Sequence, residues 1–133
     1  MGQILSFRDL EVYKLTRAEV QRVFVLSRSF PGDERYSLTD RIRRSSRSVR
    51  GHIAEAWGRR RYPNAFAYKL DEAMGEANET QAWLETALDC GYVTREEFEE
   101  ANRAWQRIGA MLNGMVGKAD TFCAAAAAKR SNP

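Results

Sequence analysis

The segment Ser37–Arg59 reads "SLTDRIRRSSRSVRGHIAEAWGR" and decides the fold class. Its apolar and small residues recur at steps of 4, 3, 4, 4 and 3, namely Leu38, Ile42, Ser45, Val49, Ile53 and Ala56. This spacing is typical of a helix with one face in a protein core. We expect Ser37 to cap the helix and Ser45 to mark a close approach of a neighbouring helix.

Two further helices are predicted on the C-terminal side of this segment. The third runs from about Asn64 to Cys90, with the stripe Phe66, Leu70, Ala73, Ala77, Gln81, Leu84 and Leu88, and Gly91 is its expected stop. Thr94 and Glu97 form a capping box that starts the fourth. Its stripe alternates steps of 3 and 4 through Phe98, Ala101, Trp105, Ile108, Leu112, Met115 and Ala119. Such a seven-residue repeat indicates helices packed at shallow angles.

A first helix is predicted from about Arg8 to Arg28, and "FPGDERYS" (Phe30–Ser37) ends it. Short connections between long helices force neighbouring helices to run antiparallel. The sequence therefore predicts an all-α, antiparallel up-down-up-down four-helix bundle as one domain over residues 1–123. Residues 124–133 are expected to form an alanine-rich, partly disordered C-terminal tail.

Composition excludes several classes of protein. The 133 residues are 44% apolar and 29% charged, which fits one globular domain. Cys90 and Cys123 have no CxxC spacing and no nearby histidine cluster, so we expect no disulfide framework or zinc site and a reducing, cytoplasmic location. The apolar runs are too short to span a bilayer, so no membrane partner is expected.

Positive charge is concentrated in residues 41–61, which hold one acid and eight arginines: Arg41, Arg43, Arg44, Arg47, Arg50, Arg59, Arg60 and Arg61. Guanidinium groups match phosphate oxygens in pairs, so this segment indicates a nucleic-acid-binding surface for RNA or DNA. Arg43, Arg47 and Arg50 share one helical face. Few aromatic residues interleave the arginines, so little sequence preference is expected.

A structural explanation of these arginines competes with the binding one. They would then form a solvated face paired with acids of the third helix: Asp71, Glu72, Glu76 and Glu79. Arg59, Arg60 and Arg61 also suit the negative end of the helix dipole. A protein-protein interaction scaffold without a nucleic-acid role is the corresponding alternative function. Trp83 lies beside its helix stripe and hints at a subunit contact.

Enzymatic chemistry is not expected. A di-iron site in a bundle needs two Glu-x-x-His pairs, and His52 is the only histidine. No metal or other cofactor is therefore predicted. Ser45, Ser46 and Ser48 lack a base and an orienting acid in a recognisable arrangement. Glu55, near the core boundary, is expected to pair with an arginine or a backbone donor.

Four stretches together resemble one protein family. They are "FRDLEVYKL" (Phe7–Leu15), "SFPGDERYSLTDRIRRSS" (Ser29–Ser46), "SVRGHIAEAWGR" (Ser48–Arg59) and "LDCGYV" (Leu88–Val93). In this order they resemble the bacterial 23S rRNA-intervening sequence proteins, from about Phe7 to Val116. The family usually has S-N-I-A-E-G where this chain has "GHIAEA", so His52 and Ala56 depart from its pattern.

The resemblance implies a four-helix bundle that assembles as a homo-oligomer, often a homopentamer. The family is similar in turn to the accessory protein of diversity-generating retroelements, a basic pentameric barrel that binds nucleic acid and a reverse transcriptase. The resemblance thus implies nucleic acid and a reverse transcriptase as candidate partners. It implies no enzymatic activity.

Overall fold

The computed structural model describes residues 3–124 of the chain and confirms the all-α prediction. Its four long helices are α1 (Glu11–Ser27), α2 (Leu38–Gly58), α3 (Pro63–Asp89) and α4 (Arg95–Gly117). Single 3-10 turns precede α1 (Phe7–Asp9) and α2 (Gly32–Glu34). Apart from Ala124, the predicted tail lies outside the described residues. Between residues 3 and 124, no helix is long and apolar enough to cross a membrane.

The helices form a closed antiparallel bundle, as predicted. Each helix packs against its neighbours in chain order, and α4 closes the ring against α1. The contact between α2 and α3 is the most extensive, and that between α1 and α4 is the least. Ser45 of α2 meets Thr80 of α3 at 2.8 Å, whereas Glu55 meets Lys69 at 3.1 Å, so the two helices run in opposite directions.

The end of α3 and the start of α4 agree closely with the predictions from the sequence. The Thr94 amide donates to Glu97 Oε1 at 2.8 Å, and the Glu97 amide donates to Thr94 Oγ1 at 3.1 Å. This reciprocal pair is the predicted capping box. Gly91 follows α3 with φ of +76°, a left-handed conformation that glycine adopts without strain.

The starts of α1 and α2 differ from the predictions in detail. Residues 7–9 form a separate 3-10 turn, so α1 begins three residues after Arg8. Ser37 does occupy the N-cap position of α2, but its side chain makes no capping hydrogen bond. Glu34 Oε1 instead accepts from the Leu38 amide at 3.5 Å. A carboxylate from the preceding turn thus replaces the expected serine cap.

The predicted core stripe of α2 is confirmed, because every residue in it is buried. In the α4 stripe, Phe98 and Ala119 are half-buried, and the other five residues are buried. The α3 stripe is only partly correct. Gln81 and Leu88 are half-buried, and Thr80 and Ala87 take their places in the core. The buried residues of α3 therefore keep alternating steps of 4 and 3, a seven-residue repeat, whereas the predicted stripe took one extra step of 4 after Ala77.

The contact between α1 and α4 contains a buried carboxylate that the sequence did not reveal. Glu19 lies 2.9 Å from Arg22, which also lies 2.8 Å from Glu100 of α4. Burial raises the pKa of Glu19, and the hydrogen bond from Arg22 lowers the pKa of Glu100. Two acids, Glu19 and Glu100, therefore balance the charge of Arg22.

Candidate nucleic-acid interface

The buried stripe of α2 fixes where its arginines lie. Ser45 and Ser46 are buried, and the bond between Ser45 and Thr80 holds α2 tightly against α3. This confirms Ser45 as a close-approach point. With that face committed to the core, the arginines lie on the two flanks and the outer surface of α2. We call Arg43, Arg47 and Arg50 the α1-side row, because two of them contact α1 directly.

Neutral groups of α1 hold two of the three arginines in the α1-side row. Arg43 Nε donates to Ser27 Oγ at 2.8 Å, and Arg50 Nε donates to the Tyr13 hydroxyl at 2.8 Å. The same guanidinium groups lie over aromatic rings, 4.9 Å from the Phe24 centroid and 5.4 Å from the Tyr13 centroid, respectively. Each bond uses only the Nε–H of the guanidinium group, which has four further N–H donors. These contacts orient the side chains without cancelling their charge.

The opposite flank of α2 faces α3 across a groove of about 800 Å³, which we call the α3-side groove. It carries both signs of charge, with Arg41, Arg44 and Arg47 on α2 and Glu55, Glu76 and Glu79 among its acids. Burial and the neighbouring Glu79 raise the pKa of Glu76.

Contacts within the groove also differ from those of the α1-side row. Arg44 Nε lies 2.9 Å from Asp40, one turn earlier on the same helix. Arg41 lies 5.6 Å from the ring centroid of Trp83, whose Nε1 donates to Glu79 at 3.2 Å. Among residues 3–124, no arginine of α2 forms an ion pair with an acid of α3. The predicted alternative of arginines paired with the third helix is therefore wrong for the described part of the chain.

A lysine, not an arginine, is the partner of Glu55. Lys69 Nζ lies 3.1 Å from Glu55 and 3.3 Å from Glu72, and these hydrogen bonds raise the pKa of Lys69. His52 lies beside them, 3.7 Å from Glu55 and 3.9 Å from Glu72. The ammonium group already occupies the centre of this cluster. Across residues 3–124, no set of three or more His, Cys, Asp or Glu side chains is arranged to hold a metal.

The three arginines after α2 separate in the structure. Arg60 Nε donates to the Trp57 carbonyl at 2.7 Å, and its guanidinium lies 3.5 Å from the Trp57 ring centroid. Burial lowers the pKa of Arg60. This side chain therefore stabilises the helix terminus. Arg59 and Arg61 are exposed and line a shallow pocket with Glu55 and Tyr62.

The structure adds three cations of the N-terminal region that sequence reasoning missed. Arg8, Lys14 and Arg17 meet Arg50 around a pocket of about 280 Å³, together with Tyr13. Lys14 and Arg17 are three residues apart and exposed, so helical spacing on α1 was a usable signal. The sequence alone did not show that this face of α1 lies beside the α1-side row.

Comparison with known proteins places this bundle in a family. A crystal structure from Bacteroides thetaiotaomicron, described as a protein of unknown function from the S23 ribosomal protein family, is 28% identical, with a TM-score of 0.72. The match covers 79% of this chain and 97% of that one. No curated protein matches significantly. The profile of the 23S rRNA-intervening sequence proteins matches residues 8–114, and the chain therefore belongs to the 23S rRNA-intervening sequence protein family.

Proposed function

We propose that this protein is a non-enzymatic adaptor that binds RNA or DNA through the α1-side row, with little sequence preference. Arg47, between Arg43 and Arg50 in the row, is exposed on the outer surface. Guanidinium groups in such a row are suited to consecutive backbone phosphates. Arg41, Arg44, Arg59 and Arg61 contribute less, because acids share their surroundings. Arg47 also lines the α3-side groove, so the row depends chiefly on Arg43 and Arg50. Arg60 is left out, because it packs on its own helix.

The observation that carries the proposal is the absence of balancing acids. Of the eight arginines in residues 41–61, only Arg44 forms an ion pair within residues 3–124. That pair is exposed and links two residues of the same helix, so it neutralises little of the surface. Charge left unbalanced on a helix flank attracts polyanions and releases their counterions on binding.

The proposed function also includes self-assembly and a protein partner. We propose that the chain acts as a homo-oligomer, with five copies as the family resemblance implies, so that the α1-side row is repeated around a symmetry axis. A reverse transcriptase is the protein partner in the retroelement version of this role. Native mass spectrometry of the purified protein measures the copy number. A reverse transcriptase gene adjacent to this one, and co-purification of its product with this protein, would support the partner, and the absence of such a gene would count against it.

The direct test replaces Arg43, Arg47 and Arg50 by glutamine and measures binding of a fluorescent RNA and a duplex DNA. Each phosphate contact to a duplex adds about 0.9 to the slope of log Kd against log salt concentration. One contact therefore makes binding at 0.1 M salt roughly eightfold tighter, relative to binding at 1 M salt. Three lost contacts are therefore expected to weaken duplex binding by several hundredfold. The matched control replaces Arg95, Arg103 and Arg107, three exposed arginines of α4, by glutamine.

The two triple variants remove the same charge, so only position distinguishes them. Circular dichroism verifies that both remain helical, since Arg43 and Arg50 also bond to α1. Equal losses in the two variants would mean that binding follows net charge alone. Wild-type protein that binds neither probe at low salt would end the nucleic-acid proposal.

A protein-binding scaffold is the second candidate function. It is favoured by large exposed apolar side chains outside the α1-side row, namely Ile4, Leu5, Val25, Tyr36, Tyr62 and Tyr68. Exposed aromatic residues are enriched at protein interfaces. Under this alternative, removal of the row arginines leaves assembly intact, and no polyanion binds.

A further inference from the structure

The pocket between the N-terminal region and α2 is lined almost entirely by cations. Four of its five lining residues are basic, and the fifth is Tyr13. The basic residues are Arg8, Lys14, Arg17 and Arg50. A concave site with converging positive charges concentrates the electrostatic field and favours anions. Its chemistry is therefore that of an oxyanion site.

Two aromatic rings support the guanidinium groups of this pocket. The Tyr13 hydroxyl accepts from Arg50 Nε, which leaves the four N–H groups of Nη1 and Nη2 for a ligand. The Tyr13 ring meets the Phe7 ring edge-on, with centroids 4.9 Å apart. The guanidinium of Arg8 lies 4.5 Å from the Phe7 centroid. One aromatic pair thus positions an arginine from each side of the pocket.

The carboxylates nearest in sequence are already engaged. Asp9 accepts hydrogen bonds from the amides of Leu5 at 2.8 Å and Ser6 at 3.0 Å, which lower the pKa of Asp9. Glu11 lies 3.4 Å from Lys14, but both side chains are mostly exposed and such a pair is weak. Within residues 3–124, no carboxylate lines the pocket. Asp9 and Glu11 still interact with Lys14 and reduce its share of the positive potential, so the three arginines supply most of it.

The pocket continues into the α1-side row. A second depression of about 510 Å³ shares Lys14, Arg17 and Arg50 with it and extends along α1 to Gln21. On α2, the seven-residue step from Arg43 to Arg50 corresponds to about 10 Å at 1.5 Å per residue. That length is sufficient to span more than one phosphate of a strand. A strand lying along the row would reach the pocket at Arg50.

We propose that Arg8, Lys14, Arg17 and Arg50 form a phosphate-binding pocket that holds one phosphate of a nucleic-acid strand lying along the α1-side row. The inference rests on the proposed function and extends its surface from α2 to the N-terminal region. The ligand is a phosphate oxyanion, either an internal diester or a terminal monoester. Guanidinium forks bind both by paired hydrogen bonds.

The test replaces Arg8 and Arg17 together by glutamine. Neither residue belongs to the α1-side row, and both are exposed, so the fold is expected to persist. Because the pocket holds one phosphate, its loss is expected to lower the salt slope for duplex by about 0.9 and to weaken binding roughly eightfold at 0.1 M salt. The control is Arg103→Gln with Arg107→Gln, two exposed residues of α4.

The source of the phosphate is resolved with one single-stranded oligonucleotide carrying either a 5′-phosphate or a 5′-hydroxyl. If the pocket holds an internal phosphate, both forms bind wild type equally, and Arg8→Gln with Arg17→Gln weakens both equally. If it holds a terminal phosphate, the phosphorylated form binds wild type more tightly, and the variant removes this advantage. Either result supports the pocket.

The pocket and the proposed function fail in different ways. A variant lacking Arg8 and Arg17 that binds both oligonucleotides as tightly as the α4 control overturns the pocket. If the α1-side triple variant still loses binding in that case, the proposed function stands without the pocket. If wild type binds no nucleic acid, both proposals fall.

Discussion

The two flanks of α2 carry similar numbers of arginines but treat them differently. On the flank towards α3, Arg44 pairs with Asp40, and acids of both helices share the groove. On the flank towards α1, Arg43 and Arg50 bond to a serine and a tyrosine. Hydroxyl groups fix the direction of a guanidinium and leave its charge intact, whereas carboxylates reduce both its charge and its availability.

The two flanks therefore have different roles: the α3 flank holds the bundle together, and the α1 flank presents positive charge. The α3 flank contains the buried Ser45–Thr80 bond and the Glu55–Lys69 pair, which join the two most extensively packed helices. The α1 flank contains the bonds that position the α1-side row. Substitutions on the α3 flank are therefore expected to change stability first, and those on the α1 flank to change binding first.

The largest effect on stability is expected from Thr80→Val, which removes the cross-helix partner of the buried Ser45 hydroxyl. Ser45 keeps its 3.3 Å bond to the Ile42 carbonyl, so loss of the cross-helix bond is expected to cost about 0.5–1.5 kcal/mol of folding free energy. Urea denaturation followed by circular dichroism measures this loss, and nucleic-acid affinity of the folded protein should not change. Thr86→Val is the control, because the only bond of the Thr86 hydroxyl within residues 3–124 is to the Ala82 carbonyl of its own helix. Equal stability of the two variants would contradict the assigned role of the α3 flank.

Removing the acids of the α3-side groove should make the two flanks of α2 more alike in their attraction for nucleic acid. Glu76→Gln with Glu79→Gln is expected to raise nucleic-acid affinity by up to about tenfold at low salt, because like charge repels phosphate. Fluorescence anisotropy at two salt concentrations measures the gain. Glu96→Gln with Glu99→Gln, two exposed residues of α4, removes the same charge elsewhere. A gain of the same size in that control would mean that the groove has no special influence.

The Tyr13 hydroxyl offers a test of orientation without a change of charge. In Tyr13→Phe, Arg50 keeps its charge but loses the acceptor that directs it. Ordering a flexible side chain costs about 0.5–1.5 kcal/mol, so binding should weaken by roughly two- to tenfold with an unchanged salt slope. Tyr62→Phe, at an exposed residue, is the control. A changed slope would indicate that charge, not orientation, had been altered.

The smallest expected effect is a pH dependence of binding. Because burial raises the pKa of Glu76, this group takes up a proton at higher pH than an ordinary glutamate. Lowering the pH from 7 towards 5 thus removes negative charge from the α3-side groove, and affinity should rise about twofold. The Glu76→Gln, Glu79→Gln variant should show a smaller rise. An equal rise in that variant would assign the effect to other groups.

Periodicity predicted the bundle well because its signal is local. The stripes of α2 and α4 and the Thr94 capping box depend on residues within a few turns of one another. The partners of the charged residues were not predictable in this way. Glu55 pairs with Lys69 across α2 and α3, and Arg50 bonds to Tyr13 across α1 and α2. Those pairings depend on the relative rotation of the helices, which a single sequence does not state.

The most direct test of the account compares two charge-matched pairs from opposite flanks of α2. Arg43→Gln with Arg50→Gln removes two α1-side arginines, and Arg41→Gln with Arg44→Gln removes two from the α3-side groove. The measurement is the slope of log Kd against log salt concentration for duplex DNA. We expect the α1-side pair to lower the slope by nearly two and the α3-side pair by less than about half a unit. Equal reductions, or the reverse order, would contradict the account.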